Sequence, residues 1–245
     1  GFMKLNLYDY LSGNEYPGRG ICIGWTPSGK KAMIAYFIMG RSANSRNRVF
    51  DPIDGGIRTK AADPSKMTDP HLIIYNPVLT LGQTTIVTNG DQTNTIYDFM
   101  SRNEFPGYAF EAALKTRTFE DDKPNWTPRI SGVVDMGSGA YKLSILKSCD
   151  GDDRSVERFF FDYDQPLAGE GRFISTYRCN GNPIPSFEGE PLRVTLTDEN
   201  PNEYAGRLWS ALNEDHKVSL FVRAIDLATQ AYEDVIINKY KALED

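Results

Sequence analysis

Residues Ala32 to Met39 read AMIAYFIM, eight positions without a charge and without polar alternation. Successive side chains of a strand point to opposite faces, so a half-solvated strand alternates polar and apolar residues, whereas a run that is apolar at every position needs cover on both faces. The shorter run LIIY, Leu72 to Tyr75, makes the same demand. Around them the apolar runs are short, rich in β-branched and aromatic residues, and broken by Gly, Pro and Asn, which is the pattern of a strand-dominated chain. Strands are predicted at 20–25, 32–39, 72–75, 79–88, 130–135, 141–146, 157–163, 173–178, 192–197, 218–225 and 231–238. Helical spacing occurs at 93–101, 108–116 and 203–212, the last with Tyr204, Leu208, Trp209 and Leu212 as an apolar stripe. Two sheets packed together with helices outside, an α+β class, satisfy the doubly covered strands. Loops are expected at 51–69, 120–128, 148–155 and 180–191.

A chain of 245 residues with 40% hydrophobic content can bury one large core, so a single domain over residues 3–245 is expected, Gly1 reading as a cloning remnant. The net charge of -6 argues against a nucleic-acid partner and against an anionic membrane surface, both of which need basic excess. Cys22, Cys149 and Cys179 are odd in number and have no metal-like spacing, which suggests neither a disulfide framework nor a zinc site. No apolar run reaches the roughly 18 residues of a membrane span, and MKLNLYDYLSG is not a signal sequence, so a reducing, cytoplasmic setting is expected.

Charge is distributed unevenly. From Tyr16 to Phe50 there is no Asp or Glu in 35 residues, while Arg19, Lys30, Lys31, Arg41, Arg46 and Arg48 contribute +6. With 32–39 as a strand, GRSANSRNR (Gly40 to Arg48) forms the loop at its end, where Arg41, Ser42, Asn44, Arg46 and free backbone N–H groups can converge on a phosphate. A solvated basic loop would carry the same charge.

Other motifs carry less. GWTPSGKK, Gly24 to Lys31, nearly spells a phosphate-binding P-loop, but Lys31 stands where Ser or Thr should hold magnesium and a strand follows where a helix should open, so a hairpin turn is predicted. His71 and His216 have no G-x-S-x-G elbow to serve, and Cys22 falls in a buried strand, where a thiol is a small hydrophobe. TNGDQTNT, Thr88 to Thr95, reads as a turn with a helix start, and FEDDKPNWTPRI, Phe119 to Ile130, as an acidic loop entering a strand.

Taken together, YPGRG (Tyr16 to Gly20), AYFIMGRSANSRNRVF (Ala35 to Phe50), LIIYN (Leu72 to Asn76), VTNGDQT (Val87 to Thr93), TPRISG (Thr127 to Gly132) and FISTYRCNGNPIPSF (Phe173 to Phe187) resemble the IMP cyclohydrolase-like family in order and approximate spacing. The resemblance implies a four-layer α/β/β/α sandwich like that of the N-terminal-nucleophile hydrolases, without the nucleophile, since Met3-Lys4 supplies no Cys, Ser or Thr. It also implies closure of the purine six-membered ring in 5-formamidoimidazole-4-carboxamide ribonucleotide, giving IMP and water, with no cofactor and no metal.

The resemblance further assigns roles. Arg41 matches the arginine of R-S-x-x-x-R, to polarise the formyl oxygen or hold the phosphate, and Ser42 and Arg46 complete that segment. Tyr75 matches the strand-end Y-N pair as a donor to the reacting oxygen. Asn89, Gly90 and Thr93 match the N-G-x-x-T substrate turn, and Arg129 the arginine of T-P-R. Glu120 is the candidate acid or base once one residue of gap is allowed, with Asp121 and Asp122 as alternatives. Gln92 and Asn94 stand where the archaeal proteins tend to carry His and Asp, which keeps a purine-ribonucleotide-binding protein without turnover as the second reading. Assembly into a homo-oligomer is left open.

Overall fold

The computed structural model describes residues 4–243. The reading of Gly1 lies outside the described residues. The chain is α+β, with two seven-stranded sheets and few helices. The first sheet runs β1 (Leu5–Asn6), β12 (Leu192–Thr195), β11 (Glu170–Ser175), β2 (Gly20–Trp25), β3 (Lys31–Met39), β13 (Lys217–Asp226), β14 (Tyr232–Asn238), antiparallel except for the β1–β12 pair. The second is antiparallel throughout: β10 (Asp152–Tyr163), β9 (Tyr141–Cys149), β8 (Arg129–Asp135), β7 (Thr84–Thr88), β6 (Val78–Leu81), β5 (Gly56–Ala61), β4 (Arg48–Ile53). The helices are α1 (Leu7–Ser12), the single turn α2 (Ala43–Arg46), α3 (Gln92–Arg102), α4 (Ala109–Leu114) and α5 (Pro201–Ala211). Among the described residues no helix is long and apolar enough to cross a membrane.

The unbroken apolar run of β3 divides by parity. Ile34, Tyr36 and Ile38 join Ile21, Ile23, Val87, Ile130 and Ile145 in a cluster drawn from both sheets. Met33, Ala35, Phe37 and Met39 instead meet Leu7 and Leu11 of α1 and Tyr204, Ala205 and Leu208 of α5. A third cluster joins Ile86, Val133 and Leu146 of the second sheet to Ile96 of α3 and Phe110, Ala113 and Leu114 of α4. Arg223, fully buried on β13, binds Asp234 in its own sheet through Nε at 2.7 Å and reaches Thr80 and Thr85 of the second sheet through Nη1 at 2.7 and 3.0 Å, tying the two together.

Several sequence expectations change. Residues 72–75 are not a strand: Pro70 to Leu72 form one 3-10 turn, and the Thr59 hydroxyl donates to the Ile73 carbonyl and accepts from the Tyr75 N–H, both at 2.9 Å. A side chain thereby does what a ladder would have done, and LIIY is covered only in part, with Ile74 exposed. The expected loop 51–69 begins with the β4–β5 hairpin, whose Asp54-Gly55 turn carries Gly55 at φ 75°. Charged outward positions such as the Asp51–Arg58 pair had hidden its alternation. Residues 79–88 split into two strands around Gly82, and the loop at 148–155 shrinks to a turn at Asp150-Gly151. The near P-loop is a hairpin turn, with the Gly29 N–H donating to the Thr26 carbonyl at 2.9 Å.

Candidate active site

The two sheets bring one end of β2, β3 and β11 against one end of β7, β8 and β4. Arg19 precedes β2, Tyr36 lies near the end of β3, and Tyr177 follows β11. Across from them, Asn89 follows β7, Arg129 opens β8 and Arg48 opens β4.

Glu120 stands between the two groups and is 2% exposed. Its backbone N–H donates to the Thr127 carbonyl at 2.9 Å, which closes the 120–127 loop and turns the side chain inward. There Oε1 accepts from Arg19 Nη1 at 3.3 Å and Asn89 Nδ2 at 3.4 Å. Asn89 is fixed in turn, donating to the Pro128 carbonyl at 2.9 Å and accepting from the Ile130 N–H and Gln92 Nε2, each at 3.0 Å. Burial pushes the Glu120 carboxyl up to about 7, against the pull of Arg19; Asp122 pushes the same way as burial, and Arg129 and Arg48 oppose it. A carboxyl in that range is available both as acid and as base near neutral pH.

Three arginines are buried here: Arg19 at 9%, Arg48 at 2% and Arg129 at 8% exposure. Arg48 donates from Nε to the Ser45 carbonyl at 2.7 Å and from Nη2 to the Met39 carbonyl at 3.4 Å. Arg129 Nη1 reaches Gln92 Oε1 at 2.9 Å and Asp91 at 3.1 Å. Arg48 Nη1 and Arg129 Nε are buried with no hydrogen-bond partner among the described residues. Burial pulls both guanidinium groups below their ordinary value, although neither gives up its proton in the working range. Unpaired buried N–H groups on charged side chains are costly, and a bound anion would offset that cost.

The Tyr36 and Tyr75 hydroxyls lie 2.5 Å apart. Tyr36 is fully buried, stacked on Phe50, and makes no other side-chain hydrogen bond among the described residues. Either hydroxyl can be the donor in that bond. Tyr75 also lines a cleft of about 570 Å³ with Asn76, Asp91 and Asn94, whose wall includes none of Glu120, Arg19, Arg48 and Arg129. Tyr177 makes a second such link: its hydroxyl is 2.5 Å from Thr127 Oγ1, which also contacts Asp122, and its ring stacks on Tyr16 at 5.7 Å.

The other sequence candidates lie at the rim or within turns. Arg41 is exposed; Nη1 donates to Asn180 Oδ1 at 2.7 Å and the Gly181 carbonyl at 2.8 Å, while its guanidinium sits 5.4 Å from the Tyr16 ring centre. Ser42 caps α2 by accepting from the Ser45 N–H, and Arg46 donates from Nε to the Gly40 carbonyl. Thr93 is buried and bonds Thr88 Oγ1 at 2.7 Å and the Gly90 carbonyl at 3.1 Å. Gly90 packs so closely that a Cβ there would lie 2.6 Å from Arg129 Nη1. Asp121 is exposed and Asp122 contacts Thr127, so of the three acids only Glu120 meets the arginines inside. Sequence reasoning counted Arg19 and Arg48 only as charge and passed over Tyr16, Tyr36 and Tyr177. A lone hydroxyl inside AMIAYFIM was the available signal for Tyr36.

A model of IMP cyclohydrolase-like proteins matches residues 16–230. The chain belongs to the IMP cyclohydrolase-like family. It is 28% identical over 188 residues to an IMP cyclohydrolase of Methanococcus aeolicus, covering 77% of this chain and 84% of that one. It is 32% identical over 126 residues to an IMP cyclohydrolase of Halobacterium salinarum, covering 51% and 60% respectively. A third relative, an IMP cyclohydrolase of Methanothrix thermoacetophila, is 26% identical over 174 residues, or 71% of this chain and 80% of that one.

Proposed function

We propose that this chain is an IMP cyclohydrolase, closing the six-membered ring of 5-formamidoimidazole-4-carboxamide ribonucleotide to give IMP and water. Family membership supports the reaction. The observation that carries the residue reading is Glu120, a buried carboxyl brought to about 7 beside three buried arginines. Ring closure joins the carboxamide nitrogen to the formyl carbon, puts negative charge on the formyl oxygen and expels that oxygen as water, whose two protons come from the formamido nitrogen, as the ring C=N bond forms, and from the attacking carboxamide nitrogen. Glu120 takes the carboxamide proton as carboxylate and returns it as acid to the departing oxygen. Tyr75 donates from its hydroxyl to the developing oxyanion. Arg48 and Arg129 supply the unpaired N–H groups that an anionic substrate satisfies. Arg41, Ser42 and Arg46 form the rim at which the ribonucleotide enters, and Asn89, Gly90 and Thr93 hold the turn that sets Glu120 and Arg129. Much of the rate comes from holding the two reacting atoms together.

The reading extends to the architecture. Helices α1 and α5 against the first sheet, and α3 and α4 against the second, support a four-layer α/β/β/α sandwich forming one domain. A cytoplasmic setting fits the purine ribonucleotide substrate. The test is direct: purified protein is incubated with the formylated ribonucleotide, and IMP is followed by chromatography. Turnover is expected, with Arg41→Ala and Glu120→Gln each reducing it in folded protein. Folded protein that gives no IMP over a wide pH range refutes the reading; stabilisation by IMP without turnover would instead make the chain a nucleotide-binding protein.

A further inference from the structure

Two sheets have four edges, and three of them are closed or short. At one side, the Asn238 amide of β14 bridges to β4, accepting from the Phe50 N–H at 2.8 Å and donating to the Phe50 carbonyl at 3.0 Å. At the other side, β1 is two residues long. The remaining edge, β10, is twelve residues long and, among the described residues, pairs with β9 alone. It carries Phe159, Phe160 and Phe161 in succession, with Phe159 37% exposed. A long aromatic strand with a free row of N–H and C=O groups is a template for another strand, and proteins ordinarily cover, shorten or distort such an edge.

We infer that β10 pairs antiparallel with β10 of a second copy of this chain, about a two-fold axis at Phe160. An isologous interface pairs residue i with j and j with i, so the strand must complement itself. In an antiparallel ladder, opposed residues either both point their backbone groups at each other or both point them away, which limits symmetric pairings to those centred on a residue. The register break between Asp152 and Val156 confines regular pairing to the stretch from Val156 to Tyr163. A centre at Glu157 or Arg158 would oppose like charges and draw the irregular segment into the ladder. A centre at Phe159 would set Arg158 against Phe160 and Asp162 against Val156, leaving every charge without a counterpart. A centre at Phe160 keeps Glu157 to Tyr163 in register and places Arg158 opposite Asp162 twice, with Phe159 opposite Phe161 on the other face. Asp162 is exposed and makes no salt bridge among the described residues, so its carboxylate is free for that contact. Arg158 bonds the Arg117 carbonyl at the strand's surface, a contact short enough to keep its guanidinium beside the edge. Phe159 and Phe161 already stack at 6.5 Å within the strand, and the pairing extends that stack across the axis.

Sedimentation velocity over a wide concentration range tests the register. Wild-type protein of 27.5 kDa per chain is expected to sediment as a dimer. Arg158→Asp alone and Asp162→Arg alone each create two like-charge oppositions and are expected to weaken association at least about tenfold. The double variant, R158D with D162R, restores the pairing and the dimer. Circular dichroism of all three variants checks folding, which these exposed positions leave intact. A wild type that stays monomeric throughout overturns the inference. So does a dimer indifferent to the single changes, or one that the double change fails to restore. Turnover of the ribonucleotide plays no part in the readout, so this test and that of the proposed function fail independently.

Discussion

Replacing Glu120 by glutamine separates the electrostatics of the buried carboxyl from its shape. The carboxyl stands at about 7 in the folded chain, against an ordinary value of 4.5. Between those values the folded state holds a proton that the unfolded chain has released, so stability falls as pH rises through that window. Its contribution is fully present below the unfolded value and is lost as pH passes the folded one. At about 1.4 kcal/mol per pH unit, the loss between about pH 5 and about pH 8 is roughly 2–3 kcal/mol. The substituted amide cannot titrate, and all other groups are common to both proteins. The difference in unfolding free energy, wild type minus variant, therefore isolates this carboxyl. Urea unfolding followed by tryptophan fluorescence, with Trp126 in the same loop, measures it at intervals across that range. The offset at any one pH is uninformative, because the variant also deprives Arg19 of its countercharge; the slope is decisive. Parallel pH curves would show that Glu120 ionises at an ordinary value, and the argument from burial would fail. Turnover by the variant is expected to drop by about 10²- to 10⁴-fold, the usual contribution of a positioned acid or base.

Arg48→Met removes a buried charge with an unpaired N–H, so it is expected to leave stability unchanged or raise it by about 1 kcal/mol while lowering kcat/KM by about 100-fold. A large fall in Tm would instead make Arg48 a structural clamp. Gly90→Ala puts a methyl group 2.6 Å from Arg129 Nη1 and 2.5 Å from Gln92 Oε1, which moves the guanidinium. The expected result is a roughly tenfold higher KM at a cost of about 1 kcal/mol in stability, and unchanged kinetics would show that Arg129 does not contact substrate. Tyr36→Phe deletes the hydroxyl bonded to that of Tyr75 and so loosens the Tyr75 side chain; kcat is expected to fall about tenfold with KM nearly unchanged. A purely structural Tyr36 would lower Tm and leave kcat of the folded fraction alone.

Much of the sheet framework was legible because it depends on short-range pattern. β2 is predicted to the residue and β3 to within one, since a run apolar at every position has few ways to be buried. The β4–β5 hairpin was missed because the outward Asp51, Arg58 and Lys60 and the Asp54-Gly55 turn have the composition of a loop, although Ile57, Thr59 and Ala61 face the buried side. The site was legible by segment and not by side chain. Within GRSANSRNR, nothing local distinguishes Arg41, Arg46 and Arg48 from one another. The Ser42-capped turn leaves the first exposed, sets the second against Gly40 and sends the third inside. In FEDD the three acids are chemically alike. What singles out Glu120 is Arg19, 101 residues away, and no local pattern reports a contact at that separation.

The buried charges also predict a linkage between substrate and proton. Arg19, Arg129 and Arg48 each hold the Glu120 carboxyl below where burial alone would put it. An anionic ribonucleotide that pairs with the unsatisfied N–H groups of Arg48 and Arg129 neutralises part of that field. Glu120 then rises further, and the bound complex holds more of its proton near pH 7 than the free protein does. Two consequences follow by reciprocity: binding takes up a proton, and affinity for IMP increases as pH falls through about 7. Calorimetric titrations in buffers of different ionisation enthalpy count that proton directly. Uptake of a fraction of a proton near neutrality, lost in Glu120→Gln, is the expected result. Release of a proton would mean that the anion settles away from these arginines, while equal uptake by the variant would assign the titration to another group. The form favoured on binding is the acid, so the first proton transfer runs through the fraction of the complex that keeps the carboxylate, and the acid formed there is the one that assists departure of the formyl oxygen.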